Sequence, residues 1–139
     1  DFMMNLAGGK LKSGVPDIQF GIVDVRDVAL AHIRAGERPE ATGRHIVSGD
    51  ELSLLEMADL LREHFDGELP LPRRTLPKWL IYLFGPLQGF SWKYIRRNMG
   101  YPLKFDNSRS RKALDLDYRP VKETLMEQVK QLRESGLIG

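Results

Sequence analysis

The chain of 139 residues contains no cysteine. That excludes a disulfide framework and any thiolate metal site. It also fits a reducing compartment, so a cytoplasmic location is expected. Metal-ligand spacing is missing as well: His32, His45 and His64 fall at unrelated intervals, and no carboxylate joins two of them in a recognisable motif. There is no G-x-S-x-G serine elbow. No acidic pair at helical spacing stands out as general acid and base. Gly9-Lys10-Leu11-Lys12-Ser13-Gly14 has glycines and lysines but not the G-x-x-x-x-G-K-[ST] order of a phosphate loop. The opening Asp1-Phe2-Met3-Met4 lacks the basic flank and long apolar core of a signal peptide, and a start without methionine reads as a fragment or a processed chain. The longest run that is apolar all round, residues 79–84, is too short to span a membrane. No internal repeat or low-complexity segment occurs.

What is present is ordinary in bulk and uneven in detail. Hydrophobic residues make up 42% and charged residues 29%, as in soluble globular proteins. The length fits one domain over residues 1–139 with a modest core. A net charge of +2 with a pI near 9.0 is too mild to argue nucleic-acid binding. The charge is nevertheless clustered. Lys93, Arg96, Arg97, Lys104, Arg109, Arg111 and Lys112 are opposed only by Asp106. This stretch reads either as a solvated face or as a site for an anionic ligand.

The clearest local signal is Ile22-Val23-Asp24-Val25-Arg26-Asp27-Val28-Ala29-Leu30-Ala31-His32. Its β-branched start, Ile22, Val23 and Val25, predicts a short strand. Asp27 is the expected N-cap of the next helix, and Val28, Ala29, Ala31 and His32 run at helical spacing toward Gly36. Upstream, residues 1–6 read as the last turns of a helix ending at Gly8-Gly9. Downstream, Gly43-Arg44-His45-Ile46-Val47-Ser48-Gly49 predicts a second strand. Ser53-Leu54-Leu55-Glu56 is a capping box. The helix behind it carries Leu54, Met57, Ala58, Leu61 and Phe65 on one face and stops at Gly67; Met57 reads as core. Residues 69–71, with a proline on either side of Leu71, allow only a short or edge strand.

Pro77 sits well at the first turn of a third helix. Trp79-Leu80-Ile81-Tyr82-Leu83-Phe84 follows, apolar on every side until Gly85-Pro86. Such a helix is buried or covers an apolar ligand. Ser91 caps a further helix through Arg97, ended by Gly100-Tyr101-Pro102. Leu103-Lys104-Phe105 is a candidate strand, and Asp106, Asn107 or Ser108 caps the next short helix. Pro120 precedes a final helix with Val121, Leu125, Val129 and Leu132 on one face. Gly136 is its C′ residue, after which Leu137 folds back.

Three of these runs, in this order, resemble the C-terminal region of the extended short-chain dehydrogenase/reductase family. They are Val-Asp-Val-Arg-Asp-Val-Ala-x-Ala-His ending at His32, Gly-Arg-x-Ile-x-Ser-Gly from Gly43 to Gly49, and Phe105-Asp106-Asn107-Ser108 followed by Lys112-Ala113-Leu114. The branch most similar holds dihydroflavonol reductases, cinnamoyl-CoA reductases and related NAD(P)-dependent aldehyde or ketone reductases, within the NAD-dependent epimerase/dehydratase superfamily. The resemblance covers nearly the whole chain. It implies an α/β fold: the C-terminal part of an extended Rossmann-type reductase, several helices with short strands, the glycine-rich Rossmann half absent. It implies NAD or NADP and a small carbonyl substrate in the full-length parent, with no cofactor bound by this chain alone.

Enzymes of this type hold the dinucleotide at a glycine-rich turn. They protonate the carbonyl with a tyrosine and a lysine four residues apart on a helix. The turn is missing from this chain. One Tyr-x-x-x-Lys exists, Tyr118 and Lys122, but Pro120 falls between them and helices seldom continue through the residue before a proline. No catalytic, cofactor-binding or metal residue is therefore assigned. The expectation is a substrate-binding portion of an oxidoreductase, inactive alone. By the resemblance, Met4, Phe20 and Gly21 line the substrate pocket, glycine at position 21 leaving room for a bulky substrate. Leu80 and Phe84 form an outer apolar wall. The plainer alternative is that all these elements are core.

The resemblance also implies that the strand at 45–48 pairs with a neighbour in the missing N-terminal Rossmann half. Its exposed edge makes self-association the expectation. A rival reading is a non-catalytic module using the basic stretch 93–112, with Trp92, Tyr94 and Tyr101, for an acidic partner or RNA. No recognised nucleic-acid motif supports it, and the 79–84 helix lacks the polar face of an interfacial helix. Neither nucleic acid nor membrane is an expected partner.

Overall fold

The computed structural model describes residues 2–65, 67–84 and 91–138, with Phe84 described in its backbone alone. In chain order the elements are α1 (Phe2–Ala7), β1 (Gln19–Ile22), α2 (Val25–Glu37), β2 (Asp50–Ser53), α3 (Leu54–His64), α4 (Lys78–Phe84), α5 (Trp92–Asn98), α6 (Ser108–Leu114) and α7 (Val121–Glu134). The strands form a two-stranded antiparallel sheet, Gln19 opposite Ser53 and Ile22 opposite Asp50. The fold is thus α/β with helices dominant, as the resemblance implies. No helix among the described residues is long and apolar enough to cross a membrane.

The main core is made by helices whose apolar stripes recur every three or four residues. Leu6 of α1, Met57 and Leu61 of α3, and Leu125 and Val129 of α7 are all fully or almost fully buried in it. Ile22 and Leu52 press on this core from the sheet. A second cluster joins Ala31 of α2 to Leu114 of α6, with Leu116 and Tyr118. A third gathers Ile18, Ile95 and Met99, with Ile81 and Tyr82 of α4 packed against it.

Helix ends follow the local chemistry. Ser53 and Glu56 form the expected reciprocal box: the Ser53 amide donates to the Glu56 carboxylate at 2.7 Å, and the Glu56 amide donates to Ser53 Oγ at 3.2 Å. Ser91 Oγ accepts from the Tyr94 amide at 3.2 Å. At the end of α7, Gly136 takes a left-handed φ of 67°, and the Leu137 amide closes on the Leu132 carbonyl at 3.0 Å. The backbone folds back there as expected, although the Leu137 side chain stays largely exposed.

The strand expectations need correction. β1 starts earlier than its β-branched residues: Val23 lies past the strand and Val25 already begins α2. Asp24, not Asp27, is the N-cap, accepting from the Arg26 amide at 2.8 Å. The 43–49 segment is not a strand: among the described residues no ladder runs along it, and its backbone meets β1 only at its end, where the Gly49 amide donates to the Ile22 carbonyl at 2.8 Å. Among the described residues, the amides of residues 44–48 make no backbone hydrogen bond. The strand that does form, Asp50–Ser53, follows it directly and pairs with β1. Residues 69–71 bury Leu69 and Leu71 without a ladder, and the Leu71 amide turns back to the Leu69 carbonyl at 2.8 Å. Residues 103–105 also form no strand. Their amides bond to side chains of the sheet instead, Leu103 to Gln19 at 2.7 Å and Phe105 to Glu51 at 3.0 Å. The expected break at Gly85-Pro86 lies outside the described residues.

Candidate functional site

Two clefts meet along β1. The first, of about 710 Å³, runs between α1, β1 and α7. Met4, Phe20 and Gly21 line it together, joined by Phe2, Leu125 and Leu132. The second, also of about 710 Å³, lies on the side of α4 and α5 and is lined by Leu80 with Ile81 and Ile95. Phe2 and Phe20 line both, their rings 5.9 Å apart and tilted by 42°, so this aromatic pair forms the partition. The structure therefore brings Met4, Phe20 and Gly21 into one cleft and places Leu80 in its neighbour. The Phe84 side chain lies outside the described ones.

Gly21 acts differently from expectation. A Cβ built there would lie 2.6 Å from the Phe105 ring and 2.9 Å from Ser48 Oγ. The space left by the missing side chain is taken by Phe105, not held open for a substrate. What Gly21 gives the cleft is backbone wall. Met57, read as core, is indeed 2% exposed, yet it also floors the first cleft.

The chemistry of the two clefts differs. Among the described residues, the first has one polar side chain in its lining, Gln128, and no titratable group. It can hold an apolar group and exclude water, but it supplies no acid or base. The second adds Asn5, Lys10 and Ser13 to its apolar lining. Lys10 belongs to the stretch rejected as a phosphate loop, and sequence reasoning gave it no role. Phe2 was missed because a residue at a chain start shows no periodicity. The α7 residues were missed because their stripe reads fully as core.

The turn into α2 is held electrostatically. Asp24, 4% exposed, accepts from Arg26 Nε at 2.8 Å, from an Arg26 terminal nitrogen at 2.7 Å and from Thr124 Oγ1 at 2.9 Å. The Arg26 hydrogen bonds hold its carboxyl well below the usual carboxylate range, outweighing the opposite effect of burial. Arg26 continues to Glu127 of α7 at 2.7 Å. Asp27, 2% exposed, accepts from the Arg119 amide at 2.8 Å and pairs with the Arg119 guanidinium. Both aspartates thus lock the start of α2 to α7 and the segment leading into it.

That arrangement bears on a dinucleotide. A pyrophosphate needs free backbone N–H groups at a glycine-rich helix start. The β1–α2 turn has no glycine after Gly21, its N–H groups face Asp24, and it places two carboxylates where phosphates would sit. The α3 start is occupied by its own capping box. Neither turn fits the group. Tyr118 and Lys122 are separated as the proline between them dictates. The Tyr118 hydroxyl is 2.7 Å from Ser110 Oγ in a buried contact, with the Arg111 guanidinium over its ring. Lys122 is in the first turn of α7, 3.4 Å from Glu63.

No family model matches the chain. Individual proteins do. Cinnamoyl-CoA reductase 2 of Arabidopsis thaliana is 33% identical over 114 residues, 82% of this chain and 29% of its own. Cinnamoyl-CoA reductase 1 of Petunia hybrida is 33% identical over 128 residues, 92% of this chain and 32% of its own. The crystal structure of yeast methylglyoxal/isovaleraldehyde reductase Gre2 complexed with NADPH superposes with a TM-score of 0.62 at 28% identity, covering 96% of this chain and 38% of that one. The chain spans about a third of the length of the curated relatives it matches. In sequence and fold alike, the chain matches the C-terminal part of Rossmann-type reductases, and its homologues are the cinnamoyl-CoA reductases and methylglyoxal reductase of the extended short-chain dehydrogenase/reductase branch.

Proposed function

We propose that residues 1–139 are a single substrate-binding portion of an NADPH-dependent carbonyl reductase, and that the first cleft receives the apolar part of the substrate. One observation carries this reading. Residues separated in sequence, Met4, Phe20 and Gly21, converge on one apolar cleft in a chain that matches a third of reductases acting with such substrates. Carbonyl reduction needs a hydride from the nicotinamide and a proton for the oxygen. This chain contributes neither. Its part is to bind, to orient and to exclude water around the substrate, while the dinucleotide is held by a Rossmann portion outside these residues. Leu80, and Phe84 by the resemblance, would extend the apolar wall.

The test has two arms. The pure chain, given NADPH with aromatic or aliphatic aldehydes, should oxidise no cofactor above background; turnover would defeat the reading. In the full-length reductase, Phe20→Ala should lower kcat/KM for an apolar aldehyde about tenfold, with little change for a small polar one. A tenfold loss is about 1.4 kcal/mol, in line with removing part of one aromatic contact. Equal loss on both substrates would mean that Phe20 supports the fold and not the pocket.

A further inference from the structure

Between Glu68 and Asp106 the sequence has no aspartate or glutamate. The same stretch carries seven lysines and arginines and both tryptophans. The structure folds its described core into a pair of short helices, α4 and α5, packed side by side. Tyr82 meets Trp92 edge-on, ring centroids 6.3 Å apart.

The two helices turn their inner faces to the same cluster. Ile95 and Met99 are buried there with Ile18, and Ile81 and Tyr82 pack against it. Their other faces point away from it. Trp79 and Leu83, one turn apart on α4, are 66% and 61% exposed, and Trp92 at the start of α5 is 63% exposed. Helical spacing puts Lys93 and Arg97 opposite Ile95, with Arg96 beside them. Among the described residues no carboxylate pairs with Lys93, Arg96 or Arg97. Lys78 lies over the Tyr101 ring, 5.5 Å from its centroid, and Tyr101 is itself exposed.

Single exposed apolar residues mean little, but a patch of them does. Here the patch is bordered by Lys93, Arg96 and Arg97, none of which is paired with a carboxylate among the described residues. Trp is the residue that settles at the headgroup level of a bilayer. Lys and Arg answer anionic headgroups and keep their charge in water while their stems cover apolar surface. On its own α4 lacks the polar face that an interfacial helix needs. The structure supplies that face from α5. We propose that the α4–α5 pair seats this protein on an anionic lipid surface, Trp79, Leu83 and Trp92 entering the headgroup boundary and Lys93, Arg96 and Arg97 facing the lipid anions.

Vesicle sedimentation tests it, on the chain and on the full-length reductase that carries it. Phosphatidylcholine vesicles containing phosphatidylserine should carry the protein down, and pure phosphatidylcholine should not. High salt should release it. Tryptophan emission should shift to the blue on binding and be quenched by lipids brominated near the headgroup. The double variant Trp79→Ser/Trp92→Ser and the triple variant Lys93→Glu/Arg96→Glu/Arg97→Glu should each abolish sedimentation. Both alter exposed side chains, and circular dichroism checks that they fold. No binding to anionic vesicles overturns the proposal, as does binding that neither variant changes. So does tryptophan emission already blue before lipid is added, which would give this face to another part of the protein or to a second copy.

Discussion

At the scale of single residues, Asp24 and Asp27 show what a sequence can and cannot rank. Both are aspartates at the foot of one helix, and either is a sound N-cap by type. What separates them lies far along the chain. The partner of Asp27 is Arg119, 92 residues away, which draws its carboxylate inward and leaves the cap to Asp24. Asp27→Ala should therefore cost more than a lost cap. It removes a buried charged acceptor, worth about 1.5–3 kcal/mol, with the half-exposed Arg119 free to turn to water. Denaturant titration checks this, and a loss of only a few tenths would return Asp27 to an incidental role. Asp24→Asn isolates the other charge, because asparagine caps as well as aspartate does. At neutral pH the variant should be less stable than the parent. The folded Asp24 carboxyl titrates below its unfolded value of about 3.9, so the unfolded state takes up the proton first. Its contribution is fully present above the ordinary carboxylate range and is lost as pH falls through and below it. The stability gap between parent and Asp24→Asn should close over that acid window. Parallel curves from neutral to acid would show that the Arg26 pair adds nothing.

At the scale of elements, helices were legible and strands were not. A helix declares itself locally, through a stripe every three or four residues and through its caps. Ser53 with Glu56, and Gly136 with Leu137, were read from type and spacing alone and were found so. A strand exists only when another lies beside it. The segments 43–49 and 103–105 have strand-like composition, yet among the described residues no ladder forms along them, and only the Gly49 amide reaches another strand's backbone, at the Ile22 carbonyl. Asp50–Ser53, poor in strand-favouring residues, is a strand because β1 is there. Likewise the first cleft was legible in part. Its β1 and α1 residues came from the resemblance, whereas Leu125 and Leu132 of α7 enter it only through packing. The capping box gives a clean test of the local rule. Ser53→Ala should lower stability by about 0.5–2 kcal/mol, moving the urea midpoint without altering the slope. Glu56, whose carboxyl is held below its ordinary range first by its bond to the Ser53 amide, should titrate closer to normal once the serine hydroxyl is gone. An unmoved midpoint would mean that the box follows from tertiary packing instead of setting the helix start.

At the scale of the whole molecule, the segment 43–49 carries the clearest sign of an unmet need. Extended chain without a ladder is costly when it is half-buried, because each unpaired polar group has given up water. Both ring nitrogens of His45 and the Ser48 hydroxyl are buried with no hydrogen-bond partner among the described residues. Ile46 beside them is 47% exposed. Only the end of the segment is tied down, by the Gly49 amide to the Ile22 carbonyl at 2.8 Å and the Asn107 amide group to the Ser48 carbonyl at 2.7 Å. A strand from outside this chain would satisfy the free backbone groups in register. The proposed Rossmann portion is one source of it, and another copy of the chain is the second. The isolated chain should therefore self-associate, whereas the full-length reductase should not do so through this edge. Sedimentation velocity over a range of concentrations decides between them, with hydrogen exchange at the Ile46 amide as the local readout. Slow exchange at Ile46 that appears only with rising concentration would place the contact at this segment. A chain that stays monomeric while Ile46 exchanges slowly would mean that residues 43–49 are paired within the chain itself, and the need for a missing strand would fall away.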